Sequence, residues 1–353
     1  MRTVILAIST IVGAILLSQG LLSLYKAKTS TPIPSEFPEI VTQSFVQWKG
    51  THQKAYSSGQ EENYRLTVFL QNYQKIEESN SNPAHTFKLG LTAFADLTEE
   101  EFSAKYLTAN LQVNSPKENV DEAIVGAPVT PVKEKDWRKD HVVTPVRNQG
   151  ICKSYWSFST MAALESLRAI QGGPLEHLSV QQLIDCDPYS NGCSGGNTDT
   201  ALGYTMNHGV EKDADYKYWG EAGRFWKKCT YEKSKTVFTP KSYKRVGSTQ
   251  NALKNALLIN PIVVNIYSKA FAFQHYRQGV FNDWDGCTSD YVNHAALAVG
   301  FGEESNGQKF WVIKNSWGTR WGETGYMRML RYENDNIDEG ICLITFKPMY
   351  PTM

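Results

Sequence analysis

All six cysteines of this 353-residue chain, Cys152, Cys186, Cys193, Cys229, Cys287 and Cys342, lie beyond residue 151. An even number in an oxidising compartment reads as three disulfides, although spacing alone leaves fifteen connectivities open. The N-terminus supports such a compartment. Arg2 precedes the uncharged run "VILAISTIVGAILLSQGLLSL", and Ser18 and Gly20 are small residues suited to signal-peptidase cleavage. The expectation is a signal peptide over residues 1–25 and a secretory destination, lysosomal, vacuolar or extracellular. A membrane partner follows only if this segment stays uncleaved as an anchor. Lys plus Arg and Asp plus Glu balance at 36 each, without the basic excess that marks a nucleic-acid partner. No Cys-x-x-Cys pair or His-rich cluster points to a metal, and no cofactor is expected.

A Pro-containing stretch, "KTSTPIPSEFPEI", reads as a linker, and residues 43–108 read as helical. Leu66, Phe69, Leu70, Tyr73 and Ile76 recur at helical spacing, and Asn82-Pro83 stops that helix. Thr98 with Glu101 predicts a capping box for another helix. Residues 109–135, polar and carrying Pro116, Pro128 and Pro131, read as an exposed connector. A helix is expected over 155–170, ending at Gly172-Gly173-Pro174, with Trp156, Met161, Leu164 and Leu167 on its buried stripe. Beyond about residue 240 the pattern is strand-like, in "PIVVNIY", "HAALAVGFG" and "FWVIKNSWG". Helices first and strands later predict an α+β fold with two lobes.

Five spaced blocks then resemble a known family. "QGICKSYWSF" is similar to the nucleophile block of papain-like cysteine peptidases, Cys-Gly-Ser/Ala-Cys-Trp/Tyr. "GCSGG" resembles the glycine wall of their cleft, "VNHAALAVGFG" the histidine block and "KNSWGTRWGETGYMRM" the asparagine block. His294 lies 294 − 155 = 139 residues past Tyr155, within the family's usual separation. Upstream, Glu61, Arg65, Phe69, Asn72, Ile76 and Asn80 complete the ERFNIN pattern of the cathepsin L-type propeptide. Gly90, Phe94 and Asp96 follow the propeptide's shorter downstream motif, with Thr92 where Asn is usual.

The resemblance implies a papain-like two-lobed fold, a helical lobe plus a β-barrel-like lobe, preceded by a helical propeptide. It divides the chain into linker and propeptide over 26–126 (core 43–108) and a peptidase domain over 127–353. It implies the pairs Cys152–Cys193, Cys186–Cys229 and Cys287–Cys342, which use every cysteine. It assigns His294 as the base, Asn315 as its orienter, Gln149 as an oxyanion donor and Trp317 as the shield of the His–Asn pair. The nucleophile's place is held by Tyr155, whose free hydroxyl has a pKa of about 10 against the roughly 3–4 of a paired catalytic thiol. Lys153 stands where the family has glycine and is expected to crowd the primary specificity subsite. Gly195, Gly196, Asn197, Thr198, Asn265, Val292 and Lys347 fall at the other substrate-contacting positions, a wall more polar than the family's apolar one. With Lys153 and Lys347 nearby, an acidic or polar peptide is the expected occupant. The functional expectation is a monomeric, zymogen-like pseudo-protease whose cleft holds a peptide or protein ligand, or its own propeptide. The alternatives are an active endopeptidase, if Tyr155 is an error or an engineered change, and a propeptide-based inhibitor of a sister protease.

Overall fold

The structure is a computed structural model that describes residues 39–108, 122–123, 132–220, 228–287, 291–332 and 340–353. The expected signal segment and most of the expected connector lie outside the described residues. The chain forms two compact units, one ending at Leu70 and the other running Gln71–Met353.

The first unit holds α1 (Glu39–His52) and the start of α2 (Gly59–Ser81). Its core is aromatic. Phe69 meets Phe45 edge-on with ring centroids 5.1 Å apart and lies 5.2 Å from Trp48, an arrangement that adds about 0.5–1.5 kcal/mol per pair beyond area burial. Glu61 accepts bonds from the Ser57 amide at 3.0 Å and the Ser57 hydroxyl at 2.6 Å, which closes the turn before α2.

In the second unit α2 ends at Ser81, ahead of Asn82-Pro83 as the sequence predicts, and leads to β1 (Phe87–Leu89) and α3 (Glu99–Tyr106). The two asparagines of the six-residue pattern brace the chain between α2 and α3. Asn80 brackets β1, donating to the Leu89 carbonyl at 3.1 Å and accepting from its amide at 2.8 Å. Buried Asn72 donates to the carbonyls of Ala95 and Leu97, each at 2.9 Å. The capping box forms, with Glu101 N donating to Thr98 Oγ1 at 3.2 Å and Thr98 N donating to Glu101 Oε2 at 3.0 Å. Asn72→Leu should therefore destabilise the full chain by about 1–3 kcal/mol, because the Ala95 carbonyl is left unpaired. The Leu97 carbonyl keeps a bond from Gln274 at 3.2 Å. Urea denaturation checks this, and an unchanged midpoint would show that the loop needs no brace.

Two short strands, β2 (Glu122–Ala123) and β3 (Lys135–Asp136), precede three helices, α4 (Tyr155–Ile170), α5 (Val180–Cys186) and α6 (Thr198–His208). Then come β4 (Ser242–Val246), α7 (Gln250–Leu257), β5 (Ile262–Ile266), α8 (Phe271–His275) and β6 (Tyr276–Phe281). The chain closes with β7 (His294–Glu303), β8 (Lys309–Lys314), β9 (Tyr326–Leu330) and β10 (Met349–Thr352). Strand order is β1-β6-β9-β8-β7-β5-β10-β4-β2, with β3 pairing β7. Glu122 and Ala123, read from sequence as part of an exposed connector, pair in parallel with β4.

Helix α4 is buried from Tyr155 to Leu167 on all faces rather than along one stripe. It lies in the core of the helical lobe with Leu178, Leu183 and Tyr204, while Ala162 and Ala163 join β5 and β7 residues in a second core. Ser157 donates to the Val180 carbonyl at 2.8 Å, and Glu165 sits among Arg147, Thr144 and the Leu178 amide, whereas the buried Ser166 Oγ has no partner among the described residues. Gly172, at φ +82°, ends the helix in the left-handed conformation that the Gly-Gly-Pro signal predicts. The three disulfides are Cys152–Cys193, Cys186–Cys229 and Cys287–Cys342, the pairs that the family pattern implies.

Candidate active site

The sheet register sets two of the proposed site residues side by side. His294 opens β7 and Asn315 directly follows β8, and these strands are antiparallel, so both residues lie at the same end of the pair. His294 Nε2 donates to Asn315 Oδ1 at 2.9 Å, which leaves Nδ1 as the basic nitrogen, without a partner among the described residues. Trp317 lies over the pair, 4.8 Å from the imidazole between ring centroids. The first residue of α4, Tyr155, completes the group, its ring centroid 5.1 Å from that of His294.

Gln149 is fully buried and densely bonded. Its Nε2 donates to the Cys152 carbonyl at 3.0 Å, its Oε1 accepts from Ser316 Oγ at 2.7 Å, and its carbonyl accepts from the Tyr218 hydroxyl at 2.6 Å. Ser154, one residue before Tyr155, turns the other way, with its hydroxyl 2.9 Å from that of Tyr218. Lys153 is half-buried, its ammonium pKa lowered by burial, and its amide donates to the Cys193 carbonyl at 3.0 Å.

The glycine wall is required by close approach. A Cβ at Gly196 would lie 2.5 Å from the Trp156 ring. Gly195 has φ +119°, and a Cβ there would fall 2.4 Å from Thr108 Cγ2 and 3.3 Å from the Tyr155 hydroxyl. The polar wall read from sequence is only partly assembled. Thr198 Oγ1 donates to Asn265 Oδ1, and Asn265 Nδ2 donates to the Lys347 carbonyl, both at 3.3 Å. Val292 is buried. Asn197 instead caps α6, accepting from the Asp199 amide at 2.9 Å. Thr198 and Asn265 are buried and bonded to each other, so an apolar ligand would not strip water from them. Any preference for a carboxylate then rests on Lys153 and Lys347 alone.

The electrostatics are the reverse of a thiolate–imidazolium pair. Burial pushes the His294 pKa down to about 4, against the opposing pull of its bond to Asn315. Burial raises the Tyr155 hydroxyl above its ordinary value, against the bonds from Thr108 and the Gly196 main chain. Near neutral pH both rings are uncharged.

Thr108, Phe102 and Gln274 carry no local sequence signal for the site, whereas Phe94 and Thr92 belong to the downstream propeptide motif. Thr108 donates its amide to the Asn293 carbonyl at 3.3 Å, and its hydroxyl is hydrogen-bonded to that of Tyr155. Phe94 and Phe102 meet Trp317 edge-on at 5.5 and 5.3 Å. Gln274 donates to the Phe94 carbonyl at 3.0 Å, and the Thr92 hydroxyl donates back to the Gln274 carbonyl at 3.1 Å. The N-terminal segment from β1 to Thr108 is thus seated on the sheet lobe and reaches the cleft.

A helix N-terminus facing a His–Asn pair across a glycine-walled cleft, closed by an N-terminal segment, defines a papain-type protease fold in its precursor form. The papain family cysteine protease model matches residues 131–352, and the cathepsin propeptide inhibitor domain matches residues 45–102. The chain belongs to the papain family and carries the cathepsin propeptide. The senescence-specific cysteine protease SAG12 of Arabidopsis thaliana is 39% identical over 335 residues, 92% of this chain and 93% of that protein. A cathepsin L-like proteinase of Phaedon cochleariae is 39% identical over 294 residues, covering 81% and 88%. Among solved structures, digestive procathepsin L 3 of Tenebrio molitor superposes with a TM-score of 0.77 at 33% identity, covering 90% of this chain and 100% of that one. A recombinant stem bromelain precursor gives 0.76 at 33%, covering 89% and 99%.

Proposed function

We propose that this protein is a catalytically silent papain-family member that uses its cleft to hold a peptide or protein. Residues 1–25 are its signal peptide, 26–126 its linker and propeptide, and 127–353 its peptidase-like domain. Three disulfides suit a secretory route to a lysosome, a vacuole or the cell exterior. What supports the reading is Tyr155, buried as the first residue of α4 where the family pattern sets its nucleophile, together with the bridging of all six cysteines. No thiolate is available to attack a carbonyl, and an uncharged phenol beside an uncharged imidazole is no substitute. Lys153 and Lys347 favour a polar or acidic residue near the cleft centre. Hydrolysis of fluorogenic dipeptides by the chain freed of its propeptide tests the reading. The expected result is no turnover above an enzyme-free blank, and turnover that a thiol reagent abolishes would overturn it.

The intact His294–Asn315 bond favours a second reading, an active endopeptidase in which Tyr155 departs from the natural residue. Intact mass of the native protein separates the two, because tyrosine and cysteine differ by about 60 Da.

A further inference from the structure

Tyr155 does more than fill space. Its hydroxyl lies within reach of the Gly196 main-chain amide and is hydrogen-bonded to Thr108 Oγ1. Thr108 Oγ1 in turn lies 3.5 Å from the Asn293 carbonyl. These groups form one consistent relay. The phenol donates to the threonine hydroxyl, and the threonine donates to the Asn293 carbonyl. The threonine hydroxyl is used once as acceptor and once as donor. The threonine methyl packs over Gly195, where no side chain could stand. The Thr108 amide, bonded to the same Asn293 carbonyl, fixes the backbone on that rim.

We propose that Tyr155 has converted the nucleophile's place into a docking point for a hydroxyl-bearing residue of an extended peptide, with Thr108 as its resident occupant. The proposal rests on the reading of the site as catalytically silent and names what that site binds. Threonine fits best, because its hydroxyl both accepts from the phenol and donates to Asn293 while its methyl covers Gly195. Serine keeps the relay and loses the methyl contact. Valine keeps the shape and breaks the relay, leaving a buried phenol without its partner. An aspartate could accept from the phenol, but it cannot donate to Asn293 and would bring a charge beside the fully buried Tyr155. In a family member with cysteine at this place, no phenol would be there to make this bond. Here the substitution that removes the chemistry also fastens the propeptide, so the precursor is the resting state of the protein.

Amide hydrogen exchange at Leu107 and Thr108, followed by mass spectrometry on the full chain, tests this. Wild type is compared with Thr108→Val, Tyr155→Phe, the double variant and Thr108→Ser. Each of the first two should speed exchange about fivefold, the size expected for one net hydrogen bond. The double variant should be no faster than either, because both changes break the same relay. Thr108→Ser should stay within about twofold of wild type. Unchanged exchange in both single variants, or effects that multiply in the double, would overturn the proposal. Thr108 is partly exposed, so its variants keep the test open even if Tyr155→Phe folds poorly. A parallel assay of wild type on a fluorogenic dipeptide separates the two claims. Turnover there refutes silence and leaves the exchange result standing, whereas altered docking shows only in exchange.

Discussion

Tyr155→Cys combined with Lys153→Gly should switch on thiol-dependent peptide hydrolysis, by at least about a thousandfold over the unmodified chain. Removing a covalent nucleophile from a protease of this general kind costs up to about a millionfold in turnover, so restoring it has that range to recover. The supporting groups are in place. His294 is held by Asn315 at 2.9 Å, with Trp317 over both. A thiol at the first turn of α4 would feel the helix N-terminus, which favours its thiolate. Replacing the phenol ring with a small side chain also readmits solvent beside His294. That raises its pKa from about 4, where burial now holds it, toward the range that an imidazolium partner needs. Tyr155→Cys alone should recover far less if, as proposed, the Lys153 side chain crowds the primary subsite. Turnover of both variants, processed and assayed side by side, checks the order. A folded double variant without activity would show that the site has changed beyond these two positions.

Acidification should weaken the fold steeply, and His275 should account for about half of the loss. His275 is fully buried, and neither ring nitrogen has a hydrogen-bond partner in standard geometry among the described residues. Burial pushes its pKa down to about 3, against an opposing pull from the Gly90 main chain, and the Lys75 ammonium adds a smaller push in the same direction as burial. The folded value lies below the unfolded one of about 6.5. The unfolded chain therefore takes up a proton that the folded chain refuses once the pH falls below 6.5. Stability is fully present above that pH and falls progressively down to about 3. At pH 5 the loss is about 2 kcal/mol, and His294, held near 4, loses a similar amount over the same window. Glu165 adds to the loss only at lower pH, below its unfolded value of about 4.3. Burial raises its pKa, but His177, Arg147 and Lys314 outweigh burial and hold it at about 2. Asp213, Asp283 and Glu323, raised chiefly by burial, work in the opposite direction. Comparing His275→Phe with wild type cancels their effect. Urea midpoints at pH 7 and pH 5 should converge more closely in the variant, and parallel losses in both proteins would refute the assignment. Because the His275 carbonyl accepts the Gly90 amide at 2.9 Å, the loss should appear first at the propeptide seat.

Much of this molecule is legible in its sequence where the signals are local. The Thr98–Glu101 box, the stop at Asn82-Pro83 and both ends of α4 depend on neighbours a few residues apart, and each forms as expected. Helix α7 is equally open to reading, since Thr249 caps it and Leu253, Ala256 and Leu257 lie at helical spacing. It is hidden inside a stretch that reads as strands. The burial of α4 on every face depends on what packs against it, which no pattern within the helix announces. The same holds for Asn197: its position after the glycine wall suggests a subsite, whereas the start of α6 claims its side chain. Thr108 sits 47 positions from Tyr155 and shares no motif with it. Their bond depends on how the N-terminal segment crosses the cleft.

The central claim is that a papain-type cleft here has no nucleophile. The most direct measurement is intact-mass analysis after incubating the processed, unreduced protein with a thiol-directed epoxide. With Cys152, Cys186, Cys193, Cys229, Cys287 and Cys342 all bridged, the mass should be unchanged, with no adduct on any residue. One adduct per chain, mapped to a cysteine or to residue 155, would contradict the account.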